Sequence, residues 1–558
     1  MIRKVTKKWK IIEVVLRYRA YDTSFNSEKL AGEILKTMEV EFKLDINYWR
    51  CFMADRAATN TCALKQIITK ARLNVTDVPC ISHGLSRAGN AFDTPSWTYT
   101  SQKLGALVKY KMCKARGLFK EIFHEEPIKV GGVRWWQRFE HAKQVDRLSL
   151  PQLNSLYVKT CHEKKYSKET ATKLYNHLSD PVLLSHSVVE TAAVVDTGKK
   201  MVELTYIAES SQPMVLSLYP LINRMVVEFQ ERLINYSRLE ESCALAAGWM
   251  VGRVLQPVRE ELVAAKATQQ NAALAKHAAG LALTKKKEEI LATNNNNINN
   301  QPNDGVVEEV DNEEILEELA AHEEEARLVC LEATELMLGL EEDLDNLQVE
   351  ERLTKEDFME HAMEAVQPGI DYVLDKFSSS EGPYANVMCM LRAAQLFNPL
   401  EARGKEAEWL VDRADSLLCF GFPVFLRESF MEALKGELQT YKQLVCENIN
   451  WEAMEGASAY DKKLKSANVN LGEEKEWTGG AIEVARRTFE WWGTMQERLP
   501  NMAMAVRQVV LVQTSSASVE RVFSLLGLIL KAIGCKALDE TMELRVFERV
   551  NRPLYSQH

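Results

Sequence analysis

Two short stretches in the first 90 residues carry side chains that could take part in catalysis or bind an ion. Asp55 follows the apolar run Tyr48–Ala54 and precedes a stretch with helical spacing, so it lies where a predicted strand gives way to a helix. An Asp at such a junction also serves as an ordinary helix N-cap. Cys80 and His83 follow a third apolar run and could place two soft ligands on one ion. Because no CxxC or HxxxH pair lies nearby to complete a zinc site, a buried thiol beside a hydrogen-bonded imidazole is the competing interpretation.

A third stretch mixes aromatic and basic side chains. The sequence Arg134-Trp135-Trp136-Gln137-Arg138 places indole rings between guanidinium groups, and residues 101–143 carry ten Lys or Arg against four Glu. Such a composition suits stacking on bases with contacts to phosphates. Core tryptophans flanked by solvated arginines would give the same pattern.

A helix is predicted after the small-residue loop 514–518. Glu520 lies in its first turn, where a carboxylate complements the helix dipole without any active site. Apolar residues then recur at helical spacing and form one face, which is either local core or a homodimer interface. The residues that would carry a dimer contact are Val522, Phe523, Leu526, Ile529, Leu544 and Phe547.

The elements that must position these side chains change in type along the chain. The first 90 residues favour α/β structure, with Trp9–Tyr18 as the single strand expected before the Asp55 unit. From about residue 104 helical spacing dominates, and the fold is expected to be mostly helical overall. An asparagine-rich stretch near residue 295 predicts a disordered linker over 293–312. No Gly-rich phosphate loop, HExxH or GxSxG motif occurs, which argues against common nucleotide-binding, zinc-protease and hydrolase functions.

The net charge of −10 conceals a strongly uneven distribution. The segment 304–351 holds 19 Asp and Glu against one base, a local net of −18, so the other 510 residues carry −10 − (−18) = +8. A mildly basic body keeps nucleic acid open as a partner. The 11 cysteines are scattered and unpaired, and no apolar stretch reaches about 18 residues, which together predict a soluble intracellular protein without a membrane partner.

Taken in order, these motifs resemble those of hAT-superfamily transposases and the host proteins derived from them. The matching pieces begin with Asp55-Arg56-Ala57-Ala58-Thr59-Asn60, Cys80-x-x-His83 and Gly132-Val133-Arg134-Trp135. They continue with Ala394-Gln395-Leu396-Phe397-Asn398-Pro399, Glu490-Trp491-Trp492 and the terminal Ser515-Ser516-Ala517-Ser518-Val519-Glu520-Arg521-Val522-Phe523-Ser524. The terminal motif is the most specific.

The resemblance implies an RNase H-like α/β core, incomplete at its N-terminus, with a large helical insertion. On this interpretation residues 1–100 form the partial core, 101–490 the insertion, and 491–558 the dimerisation region that completes the core. Asp55 matches the second acid and Glu520 the third acid of a site that binds Mg²⁺ or Mn²⁺ for strand cleavage and transfer. Cys80 and His83 match a pair near that site, and Arg134-Trp135 matches a motif whose tryptophan stacks on DNA.

One departure from the family governs the functional expectation. In the family the first acid ends a strand that precedes two further strands before the second acid, and the single strand expected here leaves that acid unmatched. Our leading hypothesis is therefore a transposase-derived nuclear protein that keeps dimerisation and DNA binding but not strand transfer. The alternatives are a fragment of an active cut-and-paste transposase, with its missing strands upstream of the start, and a helical protein-interaction scaffold.

Overall fold

The computed structural model describes most of the chain. It describes residues 1–16, 26–54, 57–71, 75–128, 135–231, 236–299, 310–382, 384–447 and 474–522, together with 525, 544, 545, 548, 550 and 551. The expectation of a mostly helical fold is confirmed. Within the described residues, no helix combines the length and the apolar character needed to cross a membrane.

The chain opens with a β-hairpin rather than with the single strand that the sequence predicts. Strands β1 (Ile2–Val5) and β2 (Ile11–Val14) pair antiparallel, with Ile2 opposite Val14. The expectation of a single strand is thus wrong, and the strand expected over Trp9–Tyr18 begins only at Ile11; Arg17 and Tyr18 lie outside the described residues. In Ile2–Val5 two β-branched residues enclose Arg3 and Lys4, so no alternating apolar pattern marks the strand in the sequence.

Two strand–helix units follow the hairpin. Helix α1 (Ser27–Leu35) continues as a π-helical turn (Lys36–Glu41), and a 3₁₀ turn (Ile46–Tyr48) leads into β3 (Cys51–Ala54). Helix α2 (Ala58–Ala71) then crosses over to β4 (Thr76–Pro79), which pairs parallel with β3 so that Ala54 lies opposite Pro79. A parallel pair brings the carboxyl ends of both strands to one edge.

A helical body grows around one central helix. Helix α10 (Pro181–Ala208) buries most of its surface, and small residues such as Ala192, Ala193 and Gly198 let its neighbours approach closely. The preceding helices that contact it are α3 (Ile81–Asn90), α4 (Pro95–Leu107), α6 (Trp135–Leu148), α7 (Leu150–Leu153) and α9 (Lys168–Ser179). Helices α5 (Lys114–Phe123) and α8 (Lys159–Glu163) pack on a π-helical turn at Asn154–Val158 beside them.

A long helical hairpin extends from this body. After a 3₁₀ turn (Met214–Leu216) and α11 (Leu218–Gln230), helix α12 (Tyr236–Asn299) packs along α13 (Val310–Phe377). The pairing is antiparallel, since Lys266 binds Glu341 at 2.8 Å while Gly280 lies beside Glu323. Buried residues at coiled-coil spacing form the contact: Leu262, Ala265, Ala272, Ala279 and Leu283.

The hairpin changes the interpretation of the expected linker. Helix α12 runs through Asn299, so residues 293–299 are helical rather than disordered, and residues 300–309 lie outside the described residues. The acidic segment continues from there into α13, where ion pairs such as Lys266–Glu341 hold part of it against α12. Neighbouring polar residues can propagate a helix when packing stabilises it, which composition does not reveal.

The remaining elements complete the body. They are α14 (Ala385–Ala394), α15 (Pro399–Ala402), α16 (Ala407–Asp415), α17 (Glu428–Gly436), α18 (Leu438–Glu447), α19 (Glu474–Met495) and α20 (Pro500–Val509), with 3₁₀ turns at Gln395–Phe397 and Ser416–Phe420. One buried cluster runs from Val78 to Val512 and includes Trp492, whose indole N–H donates to the Phe397 carbonyl at 2.8 Å. The motifs quoted around Phe397 and Trp492 are therefore core packing elements.

The last part of the chain fastens the first hairpin. Asn551 is buried and exchanges two hydrogen bonds with the backbone of Val15, at 3.2 and 3.1 Å. Arg507 stacks on Trp9 at 4.9 Å and donates to the Thr6 and Lys7 carbonyls at 2.8 Å. Residues almost 500 positions apart thus share one structural unit.

Trp135 is held between two helices that meet at glycines. The residue is 3% exposed, and a Cβ added at Gly89 of α3 or at Gly198 of α10 would overlap the ring. Phe92 packs edge-on against it at 5.4 Å. The tryptophan thus sets the spacing of three helices.

We expect Gly198→Ala to destabilise the protein by about 1–3 kcal/mol, because the new methyl group overpacks the Trp135 pocket. The matched control is Gly117→Ala on α5, where an added Cβ meets nothing within 4 Å and helix propensity favours Ala by about 1 kcal/mol. Thermal unfolding followed by circular dichroism measures both. Equal unfolding temperatures for the two variants would contradict the packing argument.

Candidate functional site

The site is built at the edge where β3 and β4 end. Ala54 closes β3, and its carbonyl accepts a hydrogen bond from the Cys80 N–H at 3.3 Å, directly after β4. Asp55 itself lies outside the described residues.

The small-residue loop 514–516 docks on this edge at the start of α3. The Ile81 N–H donates to the Thr514 carbonyl at 3.0 Å, and the Ser82 and Ser515 hydroxyls are 3.1 Å apart. On its other side the Thr514 hydroxyl donates to the Ala208 carbonyl at the end of α10, at 3.0 Å. The loop therefore satisfies a donor at the helix start that would otherwise lack a partner within the helix.

Four side chains from the two ends of the chain meet here, with Ser516 at the centre. Its backbone N–H donates to the Cys80 sulfur at 3.3 Å, and its hydroxyl donates to Glu520 Oε1 at 2.9 Å. His83 Nδ1 lies 3.2 Å from Cys80 Sγ, 3.3 Å from Ser516 Oγ and 3.8 Å from Glu520 Oε1. Cys80, His83 and Glu520 were each predicted from a separate motif, whereas Ser516 lies in the terminal motif without a predicted role.

The environment of Cys80 favours its thiolate. Burial raises the pKa of the thiol, but the hydrogen bond and charge of His83, the nearby Ser516 hydroxyl and the Ser516 backbone N–H outweigh it, so the pKa lies below the ordinary value. The residue is 1% exposed. Its sulfur is therefore a hydrogen-bond centre within the protein rather than a surface nucleophile.

Tyr384 supports the site from the helical body. Its hydroxyl donates to the Cys80 carbonyl at 3.2 Å, and its ring packs against Phe377 at 4.9 Å. Gly84 on α3 leaves the space for this ring, since an added Cβ would lie 2.6 Å from the Tyr384 hydroxyl. No sequence pattern marks Tyr384, because its distance of 304 residues from Cys80 is closed by the fold alone.

The donor set suits a hard cation only partly. Mg²⁺ and Mn²⁺ prefer several oxygen ligands, and among the described residues of this edge Glu520 supplies a carboxylate and Ser516 a hydroxyl. Cys80 and His83 add soft sulfur and nitrogen donors instead. Asp55 would contribute the second carboxylate, so the fit of a divalent cation depends on a residue outside the described part.

The expected DNA-stacking motif lies elsewhere. Arg134 is outside the described residues, and Trp135 is buried between α3 and α10. Its backbone N–H donates to the Ser86 hydroxyl at 3.3 Å. In this arrangement the ring packs on protein, and its stacking on DNA stays a prediction.

The expected dimer face is described at two positions. Val522 is half-buried at the end of the helical stretch 517–522, and Leu544 is 66% exposed. Phe523, Leu526, Ile529 and Phe547 lie outside the described residues. The exposed Leu544 is compatible with an apolar contact to another chain.

Comparison with known families gives one match in this part of the chain. Residues 479–541 match the hAT family C-terminal dimerisation region. The match includes most of α19, all of α20, the docking loop and Glu520. No curated protein matches the chain.

We expect His83→Ala to raise the pKa of Cys80, because burial then acts without the imidazole. The lowered folded-state pKa means that the thiolate adds stability above the pKa of an unfolded thiol. That stability is lost as the pH falls through the folded pKa. Thiolate absorbance, titrated against pH and corrected with Cys80→Ser, measures the change. His162→Ala, whose ring contacts Thr172 and Tyr175, is the control; an unchanged Cys80 titration in His83→Ala would contradict the assignment.

Proposed function

We propose that this chain, a hAT-family transposase or a protein derived from one, acts as a DNA-binding dimer that does not perform strand transfer. The matched dimerisation region supports the first part of this proposal, the dimer. Because DNA is the proposed partner, we also propose the nucleus as its place of action.

The observation that carries the proposal is the position of the dimerisation region within the fold. Ser516 and Glu520 belong to the matched region and contact Cys80 and His83 at the end of the β3–β4 pair. In a dimer formed through this region, each chain would therefore contact its partner close to its own β3–β4 edge. On this proposal, dimerisation would affect the position of Ser516 and Glu520 at the strand edge.

The first 80 residues support an RNase H-like arrangement with one strand unmatched. Strands β1 and β2 precede Asp55, and they correspond to the two further strands that the family has between its first and second acids. With β1 and β2 assigned in this way, the family's strand that bears the first acid has no match among the described residues. Asp55 after β3 and Glu520 near Cys80 keep the order of the second and third acids.

The proposed lack of strand transfer rests on the ligands available for metal. Two-metal catalysis stabilises both the attacking and the leaving oxygen, and it needs carboxylates around both ions. The sequence supplies Asp55 and Glu520 as matches for two of the family's three acids.

The proposed DNA contact lies between α4 and α5. Arg116 and Lys120 pair with Glu126, so part of the basic charge of this region is neutralised within the protein. Lys109 and Lys111 are exposed and flank Tyr110, whose ring is 66% exposed. Exposed lysines beside an exposed aromatic ring suit phosphate contacts with stacking.

Light scattering tests the dimer. We expect the wild-type protein to elute at twice its mass of 63.5 kDa, and Val522→Asp to shift it toward monomer because a charge would enter the apolar contact. Val411→Asp on α16, an exposed valine outside the matched region, should leave the dimer intact. A wild-type monomer would refute the dimer proposal.

Salt titration tests DNA binding. The affinity for duplex DNA should fall steeply with ionic strength, and the Lys109→Glu, Lys111→Glu double variant should lower the slope by about one for each phosphate that is no longer neutralised. Lys276→Glu on α12 has the same charge change as either Lys109→Glu or Lys111→Glu alone, and it is the control for each of these single variants. A salt-independent affinity would overturn the basic contact.

A cleavage assay tests the third part of the proposal. With Mg²⁺ or Mn²⁺ present, the purified protein should neither nick nor join DNA ends. Cleavage that is abolished by Asp55→Asn or Glu520→Gln would show an active transposase site. Cleavage that survives both substitutions would indicate a contaminating nuclease.

A further inference from the structure

Three potential metal ligands converge between the central helix and the helical hairpin, far in sequence from the strand edge. They are His186 and Glu190 of α10 and His361 of α13. One ligand atom from each lies within 4.8 Å of the other two. His186 and Glu190 are four residues apart, so they share one face of α10.

Glu190 is a fully buried carboxylate whose two oxygens make different contacts. Oε2 accepts the Trp97 N–H in the first turn of α4 at 2.8 Å. Oε1 faces His361 Nε2 at 3.1 Å. The first bond fixes the orientation of the carboxylate, as an outer-shell hydrogen bond commonly does for a metal ligand.

The two imidazoles face each other beside this carboxylate. The rings of His186 and His361 are 4.5 Å apart, and Phe358 packs edge-on against His186 at 5.7 Å. Within the described ranges, ring contacts of His186 are found but no hydrogen-bond partner. Its nitrogens therefore remain available for coordination.

We infer that His186, Glu190 and His361 form a Zn²⁺ site that joins α10 to α13. Two nitrogens and one carboxylate oxygen are a donor set that zinc accepts, whereas Mg²⁺ and Ca²⁺ prefer oxygen throughout. Ligand atoms on one tetrahedral zinc lie roughly 3.3 Å apart at its usual bond lengths, which matches the His361–Glu190 distance. The three ligand atoms lie within 4.8 Å of one another, so the inferred site requires a side-chain rotation that brings His186 closer to the ion.

The surroundings favour a cation with one further ligand from water. Asp93 and Glu364 act electrostatically on His361 and add negative potential. Both histidines are half-buried, so water can reach the fourth position. Three protein ligands and a water complete a four-coordinate zinc.

This site is independent of the proposed function. It lies in the helical body and contains no thiol, whereas the strand edge offers Cys80 and His83 as soft ligands. Its effect would be to tie the base of α13, and with it the α12–α13 hairpin, to the central helix. Zinc would then raise the unfolding temperature by binding the folded state.

Metal binding by the full-length protein tests the inference. After metal removal with chelator, Zn²⁺ is titrated and counted by elemental analysis, and Co²⁺ is used as the optical probe. We expect one ion per chain with tetrahedral Co²⁺ absorption, no thiolate charge-transfer band, and a higher unfolding temperature with Zn²⁺. Cys80→Ser should change none of these results.

Substitution of the proposed ligands tests whether zinc binds at this site or elsewhere in the protein. Glu190→Gln keeps the acceptor for the Trp97 N–H but removes the anionic ligand, and His361→Gln removes a nitrogen ligand; each should weaken binding by about 100-fold or more. His322→Gln, an exposed histidine elsewhere on α13, is the matched control. Should Glu190→Gln fail to fold, His186→Gln provides the same test without a buried charge.

Three outcomes would overturn the inference. The first is a wild-type protein that binds no Zn²⁺ at micromolar concentration. The second is unchanged affinity in folded His186→Gln and His361→Gln variants. The third is binding abolished by Cys80→Ser, which would place the zinc at the strand edge instead.

Discussion

The docking of residues 514–520 on the start of α3 is the contact on which the rest of the structure depends. It consists of the Ile81–Thr514 backbone bond, the Ser82–Ser515 hydroxyl pair and the polar cluster around Ser516. These groups are buried, so each would carry a desolvation cost if its partner left. The Arg507–Trp9 and Asn551–Val15 contacts then fasten the first hairpin to the same unit.

Closing a chain over more than 400 residues carries an entropy cost that grows only slowly with length. The helical body between the two ends is therefore tolerated, provided that its own core is stable. Helix α10 lies at the centre of that core, because its small residues allow neighbouring helices to approach closely. At its end, the Ala208 carbonyl accepts a hydrogen bond from the Thr514 hydroxyl. The helical insertion is thus in direct contact with the docking loop.

The proposed functions use different parts of this arrangement. The dimerisation region carries Ser516 and Glu520 into the strand edge, so an interchain contact would act on the same segment that completes the site. The exposed Lys109–Lys111 turn lies on the helical body. The inferred zinc site lies at the base of the hairpin and would stiffen its attachment without touching the strand edge.

The sequence determined the local features. Periodicity predicted the helical body, the strand at Cys51–Ala54 and the helix after the small-residue loop, because these depend on spacing of neighbouring apolar residues. It missed the strand Ile2–Val5, whose hairpin is held by Arg507 from about 500 residues away, and the helix through Asn299, which packs along α13. Motif order alone led to the family that the match at 479–541 supports.

Tertiary structure decided which of those residues meet. Cys80, His83 and Glu520 were each ambiguous in sequence, and the fold brings them to one edge around Ser516. Trp135, expected to face DNA, is buried against two glycines that no local pattern connects with it. His186, Glu190 and His361 are separated by up to 175 residues, and only the packing of α13 on α10 brings the third ligand to the first two. Local preferences are written in neighbouring residues, whereas a site is made by the contacts that close the chain.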